Sequence, residues 1–142
     1  MPSNMTPEEI RAYLEQEKVC ALATVDAQQR PHLAAVWYVF LDDDLYIRTS
    51  LNSQKIKNLR QNPALSLLVC SRHRNSYQDV VIWGKAEFVN DPALDRRFSE
   101  ALGLKYYGAV DHPEAIYYST LPDRVLLRIQ VEKIRGWDYS KE

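Results

Sequence analysis

Cysteine is scarce in this chain: of 142 residues only Cys20 and Cys70 carry a thiol, each inside an apolar run, VCALATV and LSLLVCS. Two thiols so placed exclude a disulfide framework and suit small buried hydrophobes. They fit a reducing compartment, so the expected location is cytoplasmic. No apolar run approaches the ~20 residues that span a bilayer, and no basic segment followed by an apolar stretch opens the chain. Neither a membrane span nor a secretory leader is expected. Charge of one sign is missing too: 18 basic residues face 19 acidic ones for a net −1, which removes any global electrostatic case for nucleic acid. Any preference for anions must be local. With no Gly/Ser linker, repeat or low-complexity tract, residues 1–142 form a single domain. Serine-nucleophile chemistry lacks its GxSxG elbow. His32, His73 and His112 are scattered without the spacing of a zinc site, and Asp42, Asp43 and Asp44 lack the glycine and glutamate of a calcium loop. No metal site and no dedicated acid–base pair emerge, so catalytic residues stay unassigned.

What is present is an ordinary globular balance, 46% hydrophobic and 26% charged, enough for a core without metal or disulfide staples. One stretch organises the rest: DLYIRTSLNSQKIKNLRQNP, Asp44 to Pro63. Leu45, Ile47 and Thr49 alternate with Tyr46, Arg48 and Ser50 as in a half-buried strand. Asn52 and Ser53 then supply turn and N-cap chemistry for a helix starting near Ser53 and stopped by Pro63. Its first turn carries Lys55 and Lys57 where acidic residues are normally favoured. A bound anion explains two cations at that end of a helix; on the helix alone, plain solvation explains them equally well.

Around this stretch the chain alternates strands and helices. Residues 1–5 are expected to be loose. Thr6, Pro7 and Glu9 make a capping box for a short amphipathic helix with Ile10, Tyr13 and Leu14 inward. Val19–Asp26 and His32–Leu41 form a hairpin across AQQRP, and Leu45–Ser50 returns as a third strand. Ala64–Ser71 is a fourth strand, buried on both faces. Arg72–Gln78 is a basic loop, and Asp79–Asn90 a strand in which Gly84 marks a bulge or a close backbone approach. A helix follows from Pro92, with Leu94, Phe98 and Leu102 in register and Gly108 as its stop. After a short helical piece with Tyr117 and Tyr118, Val125–Trp137 is the last strand. Six strands in hairpin-rich order with inserted helices describe an α+β, mostly β protein on an antiparallel sheet able to close into a small barrel.

Four segments together, LATVDAQQRPHLAAVWYVF, DLYIRTSLNSQKIKNLRQNPALSLLV, VVIWGKAEFVND and VLLRIQVEKIRGWDY, resemble the pyridoxamine 5′-phosphate oxidase-like split-barrel superfamily of flavin and deazaflavin proteins. The resemblance implies a six-stranded antiparallel split β-barrel with short flanking helices. It also implies a homodimer with a cofactor at each subunit interface and a small-molecule substrate. Carried over by position, Arg48, Thr49 and Ser50 end the strand that meets the cofactor, and Ser53, Gln54 and Lys55 resemble the oxidases' Ser-Arg-Lys phosphate segment. Gln54 departs from that arginine, and Lys57 stands two residues beyond Lys55 to compensate. Trp37 and Tyr38 fall near the flavin ring, with backbone from Val36 to Tyr38 available to its pyrimidine edge. Trp83, Gly84 and Lys85 approach from the other side. Without the resemblance, Trp37, Trp83 and Trp137 are first of all core residues. Tyr106, Tyr107, Tyr117 and Tyr118 line the substrate side or pack the dimer, packing being preferred.

The expected function is an FMN-binding oxidoreductase; the cofactor supplies the redox chemistry and the protein orients it. Pyridoxamine phosphate oxidase activity itself is not expected, because the chain ends in RGWDYSKE rather than an Arg-x-x-x-Arg-Leu segment. The first alternative is a coenzyme F-420 reductase, whose TSxxSxKxxNLRxNP pattern the chain matches; Arg72, Arg74 and Lys57 are then the cations for its acidic tail. The second alternative is a non-catalytic flavin- or haem-binding module.

Overall fold

The computed structural model describes residues 3–74 and 76–141. Its elements are α1 (Pro7–Gln16), β1 (Cys20–Val25), β2 (Pro31–Val36), β3 (Val39–Leu41), β4 (Asp44–Ser50), α2 (Gln54–Gln61), β5 (Ala64–His73), β6 (Ser76–Val89), α3 (Pro92–Tyr107), α4 (Pro113–Ser119) and β7 (Arg124–Asp138). The strands make one antiparallel sheet in the order β2-β1-β5-β6-β7-β4-β3. The architecture is the expected α+β one.

Strand number differs from expectation, seven among the described residues rather than six. The expected single strand over His32–Leu41 breaks at Trp37 and Tyr38, so that β2 pairs with β1 while β3 pairs with β4. Alternation fails there because consecutive residues Tyr38 and Val39 are both buried. The Tyr38 N–H and C=O turn to side chains instead of a neighbouring strand, the amide donating to Tyr106 Oη at 3.0 Å and the carbonyl accepting from Lys105 Nζ at 3.2 Å. This break closes the barrel. β2 and β3 are at opposite edges of the sheet, yet three peptide steps, ~10 Å at most, join Val36 to Val39, so the sheet must curl until its edges meet.

Local signals were obeyed where they are local. Thr6 and Glu9 complete their capping box at 2.9 and 3.1 Å, and Ile10, Tyr13 and Leu14 are buried. Gly108 ends α3 at φ 80°, and Asp91 caps its start. At Gly84 the β6–β7 register shifts, and a Cβ there would lie 2.2 Å from the Gln130 carbonyl oxygen, so both the bulge and the close approach are real.

Four further expectations are corrected. Residues 3–5 are not loose: Ser3 and Asn4 bond the backbone of Gly136 and Asp138, and Met5 is buried; residues 1 and 2 lie outside the described residues. β5 is buried on one face only, Leu65, Leu67 and Val69 inward, with Leu68 and Cys70 exposed. Cys20 alone is the buried thiol, which burial pushes up to about 12. The basic loop is instead a hairpin whose ladder runs to His73 opposite Ser76; Asn75 lies outside the described residues.

Two clusters fill the interior. The larger joins α1 and α2 to the inward faces of β1, β5, β6 and β7; the smaller packs Leu94, Phe98 and Leu102 of α3 on Val39, Tyr46 and Leu126. Where the two meet, β2 and β4 end together with the start of α2.

Candidate functional site

The β4–β7 ladder pairs Thr49 with Val125 and ends on Ser50 opposite Arg124. Leu51 N–H then donates to the Asp123 carbonyl at 2.7 Å, which fixes the chain between β4 and α2 against the start of β7. Ser53 occupies the N-cap position as expected, but among the described residues no side chain caps α2; the Ser53 hydroxyl donates instead to the Ser50 carbonyl at 2.8 Å. Ile56 and Leu59 are essentially fully buried. Their burial contributes roughly 2 kcal/mol each, more than the few tenths that a misplaced surface cation costs. α2 is therefore held by its apolar face and tolerates cations in its first turn.

Lys55 projects from that turn into a groove of about 320 Å³, which Arg124 borders as well. Neither side chain has an ion-pair or hydrogen-bond partner among the described residues, and burial followed by the charge of Arg124 holds the Lys55 ammonium below the usual lysine range. Two cations facing each other without a carboxylate repel, and the arrangement is relieved by an anion. Arg48 shares the groove but is committed elsewhere: its guanidinium lies 2.7 Å from Ser99 Oγ and 3.3 Å from Asp95, over the ring of Phe98.

The remaining walls are apolar and aromatic. Val36 and Trp37 come from the end of β2, Phe98 and Leu102 from α3, and Tyr118 from α4. The Trp37 ring lies flat on Tyr106, centroids 4.2 Å apart and planes 5° apart, with Tyr107 at its edge and His112 stacked on Tyr107. Tyr106 in turn accepts the Tyr38 N–H and lies 2.8 and 2.7 Å from the carbonyls of Tyr38 and Lys18.

The structure thus brings Val36, Trp37, Arg48, Thr49 and Lys55 to one groove. Ser50 and Ser53 form the turn behind it. Tyr38 is buried in the seam, its hydroxyl 2.7 Å from the Leu14 carbonyl. Gln54 and Lys57 face a separate polar cleft with Asp26 and Arg30. Trp83 stands on the far side of the sheet with Lys133 5.1 Å over its ring. Arg72 does not border the groove; Asp79 holds it at 2.7 and 3.0 Å. Arg124, Phe98, Leu102 and Tyr118 were not foreseen as a group. Arg124 directly precedes the strand that starts at Val125 and carries no signal of its own, Phe98 and Leu102 read as the in-register stripe of a helix, and Tyr118 reads as packing.

Trp83 belongs to a different surface. Leu33, Ala23, Ser66 and Trp83 form one row across β2, β1, β5 and β6, and Ala35, Ala21, Leu68 and Val81 the next. Leu33 is 70% exposed, and Leu68 and Trp83 39% each. Ala35 also borders the groove, which therefore opens at the margin of this apolar face.

The family model for pyridoxamine 5′-phosphate oxidase matches residues 6–138. No curated protein matches the chain. Among solved structures, a conserved hypothetical protein of Mycobacterium tuberculosis, Rv2991, is 29% identical with a TM-score of 0.87, covering 98% of this chain and 88% of its own. The haem storage protein HutZ of Vibrio cholerae is 22% identical at TM-score 0.75, covering 97% and 95%. An FAD-binding protein of Mesorhizobium loti is 22% identical at 0.71, covering 93% and 92%. These structures share the split-barrel fold.

Proposed function

The chain belongs to the pyridoxamine 5′-phosphate oxidase family, and from that premise we propose that it is a cytoplasmic, homodimeric FMN-binding oxidoreductase acting on a small organic substrate. The observation that carries the reading is the facing pair Lys55 and Arg124, unpartnered among the described residues at one end of an otherwise apolar groove. A flavin mononucleotide needs fixed positive charge for its phosphate and a flat, largely apolar slot for its ring. Lys55 and Arg124 hold the phosphate; Val36 and Trp37 wall the ring and exclude water from it. The Tyr38 N–H is taken by Tyr106, so the pyrimidine edge is left to the backbone of Val36 and Trp37. When bound, the flavin supplies the hydride or electron transfer. The two rows ending at Leu33 and Ala35 support a second copy on that face, since an exposed apolar surface of this kind is a liability unless covered.

A second reading, coenzyme F-420, is favoured by one observation: the groove continues past Arg48 and Arg124 into a cleft of about 450 Å³ with room for a longer tail. Asp91, Asp95 and Asp123 border that cleft and oppose an acidic tail, which is why FMN stands first. Haem, named for the Vibrio protein, stands behind both, because no described histidine borders the groove. The visible spectrum of the purified protein tests the reading. Two flavin bands that bleach with a nicotinamide donor are expected. A Soret band, or a colourless protein that binds neither FMN nor F-420 in titration, contradicts it.

A further inference from the structure

We infer that Asn58, tied to Thr24 and Gln54, is the positioning residue that aims Lys55 at the anion end of the groove, an inference that rests on the cofactor reading above. Asn58 is a poor helix former, yet it occupies the middle of α2 and is 2% exposed. Its Nδ2 donates to Thr24 Oγ1 of β1 at 3.0 Å, and its Oδ1 accepts from Gln54 Nε2 at 2.8 Å. Thr24 is as deeply buried as Asn58, so the pair is a closed polar contact inside an otherwise apolar helix–sheet junction.

Ile56 and Leu59 attach α2 to the core, but apolar contact is non-directional and tolerates a small turn of the helix about its axis. The Asn58–Thr24 bond does not, because hydrogen bonds weaken steeply with misalignment and a turned helix leaves a buried amide unpaired. The rotation it fixes is the one that matters for the cation. Lys55 precedes Asn58 by three residues and so lies about 60° round the helix from it. With Asn58 on β1, Lys55 is on the flank that faces Arg124 and the groove. Gln54 extends the lock by one turn, its amide engaged with Asn58.

The test compares FMN with riboflavin, which differ by the phosphate alone, on wild type, Asn58→Leu, Thr24→Val and Thr24→Ser. Asn58→Leu and Thr24→Val are expected to lower FMN affinity about tenfold and leave riboflavin affinity unchanged, while Thr24→Ser, which keeps the hydroxyl, retains the wild-type preference. A merely structural role would lower both affinities by the same factor, and that result overturns the inference. Gln54→Leu, at the exposed end of the contact, does not threaten folding and is expected to lose the preference about threefold; no change there, with Asn58→Leu unfolded, also overturns it. If Lys55→Ala abolishes the FMN preference and folded Asn58→Leu keeps it, this inference alone fails. If wild type shows no preference, the cofactor reading fails and takes the inference with it.

Discussion

Two basic regions of this molecule look alike in sequence and behave as opposites in structure. At the β5–β6 hairpin, Arg72 forms two parallel bonds to Asp79, which also accepts from Tyr139 Oη at 3.2 Å. The carboxylate holds that guanidinium above its ordinary range. At the start of α2, Lys55 is partly buried and faces Arg124, and both influences hold it below the usual range. A paired surface cation explains itself within the chain. An unpaired, partly buried one does not, because burial disfavours its charge and a like neighbour adds to the cost. The lesson is that the count of positive residues does not locate an anion site; the absence of their acids does.

The largest test of that contrast removes both cations. Lys55→Ala with Arg124→Ala is expected to weaken FMN about a hundredfold, roughly 2.7 kcal/mol, in a fluorescence titration where riboflavin is unaffected. Lys55→Ala alone should cost at least tenfold, about 1.4 kcal/mol, and Lys18→Ala nothing; equal losses for the two lysines would break the contrast.

Lys105 bears on it too, because it is a second half-buried lysine with a lowered pKa, about 8, caused by burial and then by Lys18. Its ammonium nevertheless has partners, the carbonyls of Leu14 and Tyr38 and the Tyr38 ring 3.7 Å away. It therefore belongs to the framework. Between about 8 and the ordinary 10.5 the unfolded chain holds a proton that the folded one has released, so stability rises with pH through that window. From about 9 the buried Cys20 thiol, and above 10 the buried hydroxyls of Tyr38 and Tyr106, each held above its ordinary value, oppose the rise. Urea unfolding from pH 8 to 9 should show the upward slope in wild type and a flatter one in Lys105→Met. FMN affinity in that variant should stay within about twofold, ~0.4 kcal/mol. The smallest effect is expected at the hairpin: Arg72→Ala should leave FMN affinity unchanged, and a tenfold loss would place the site at the wrong end of the barrel.

Legibility in the sequence followed the range of the interaction. The capping box of α1, the start of α2 at Ser53, the Gly84 bulge and the Gly108 stop depend on neighbours a few residues away, and each was readable. The break at Trp37–Tyr38 was not, because it depends on Tyr106 and Lys105, which reach the seam from α3. For the same reason Lys55 was visible from its helix while Arg124 was not: Arg124 enters the groove only through the pairing of Ser50 with Arg124 at the end of the β4–β7 ladder. Gln54 and Lys57, adjacent to Lys55 in sequence, point to another cleft because a helix turns about 100° per residue. Cys70 was expected inside because its strand is apolar throughout, but the outward half of that strand belongs to the exposed rows that include Leu68 and Trp83.

Titrating the wild-type protein with FMN and with riboflavin at low and high salt asks whether Lys55 and Arg124 form a phosphate site. FMN is expected to bind at least tenfold tighter, and added salt to narrow the gap, as screening of a partly exposed ion pair requires. Equal affinity for the two at low salt would contradict it.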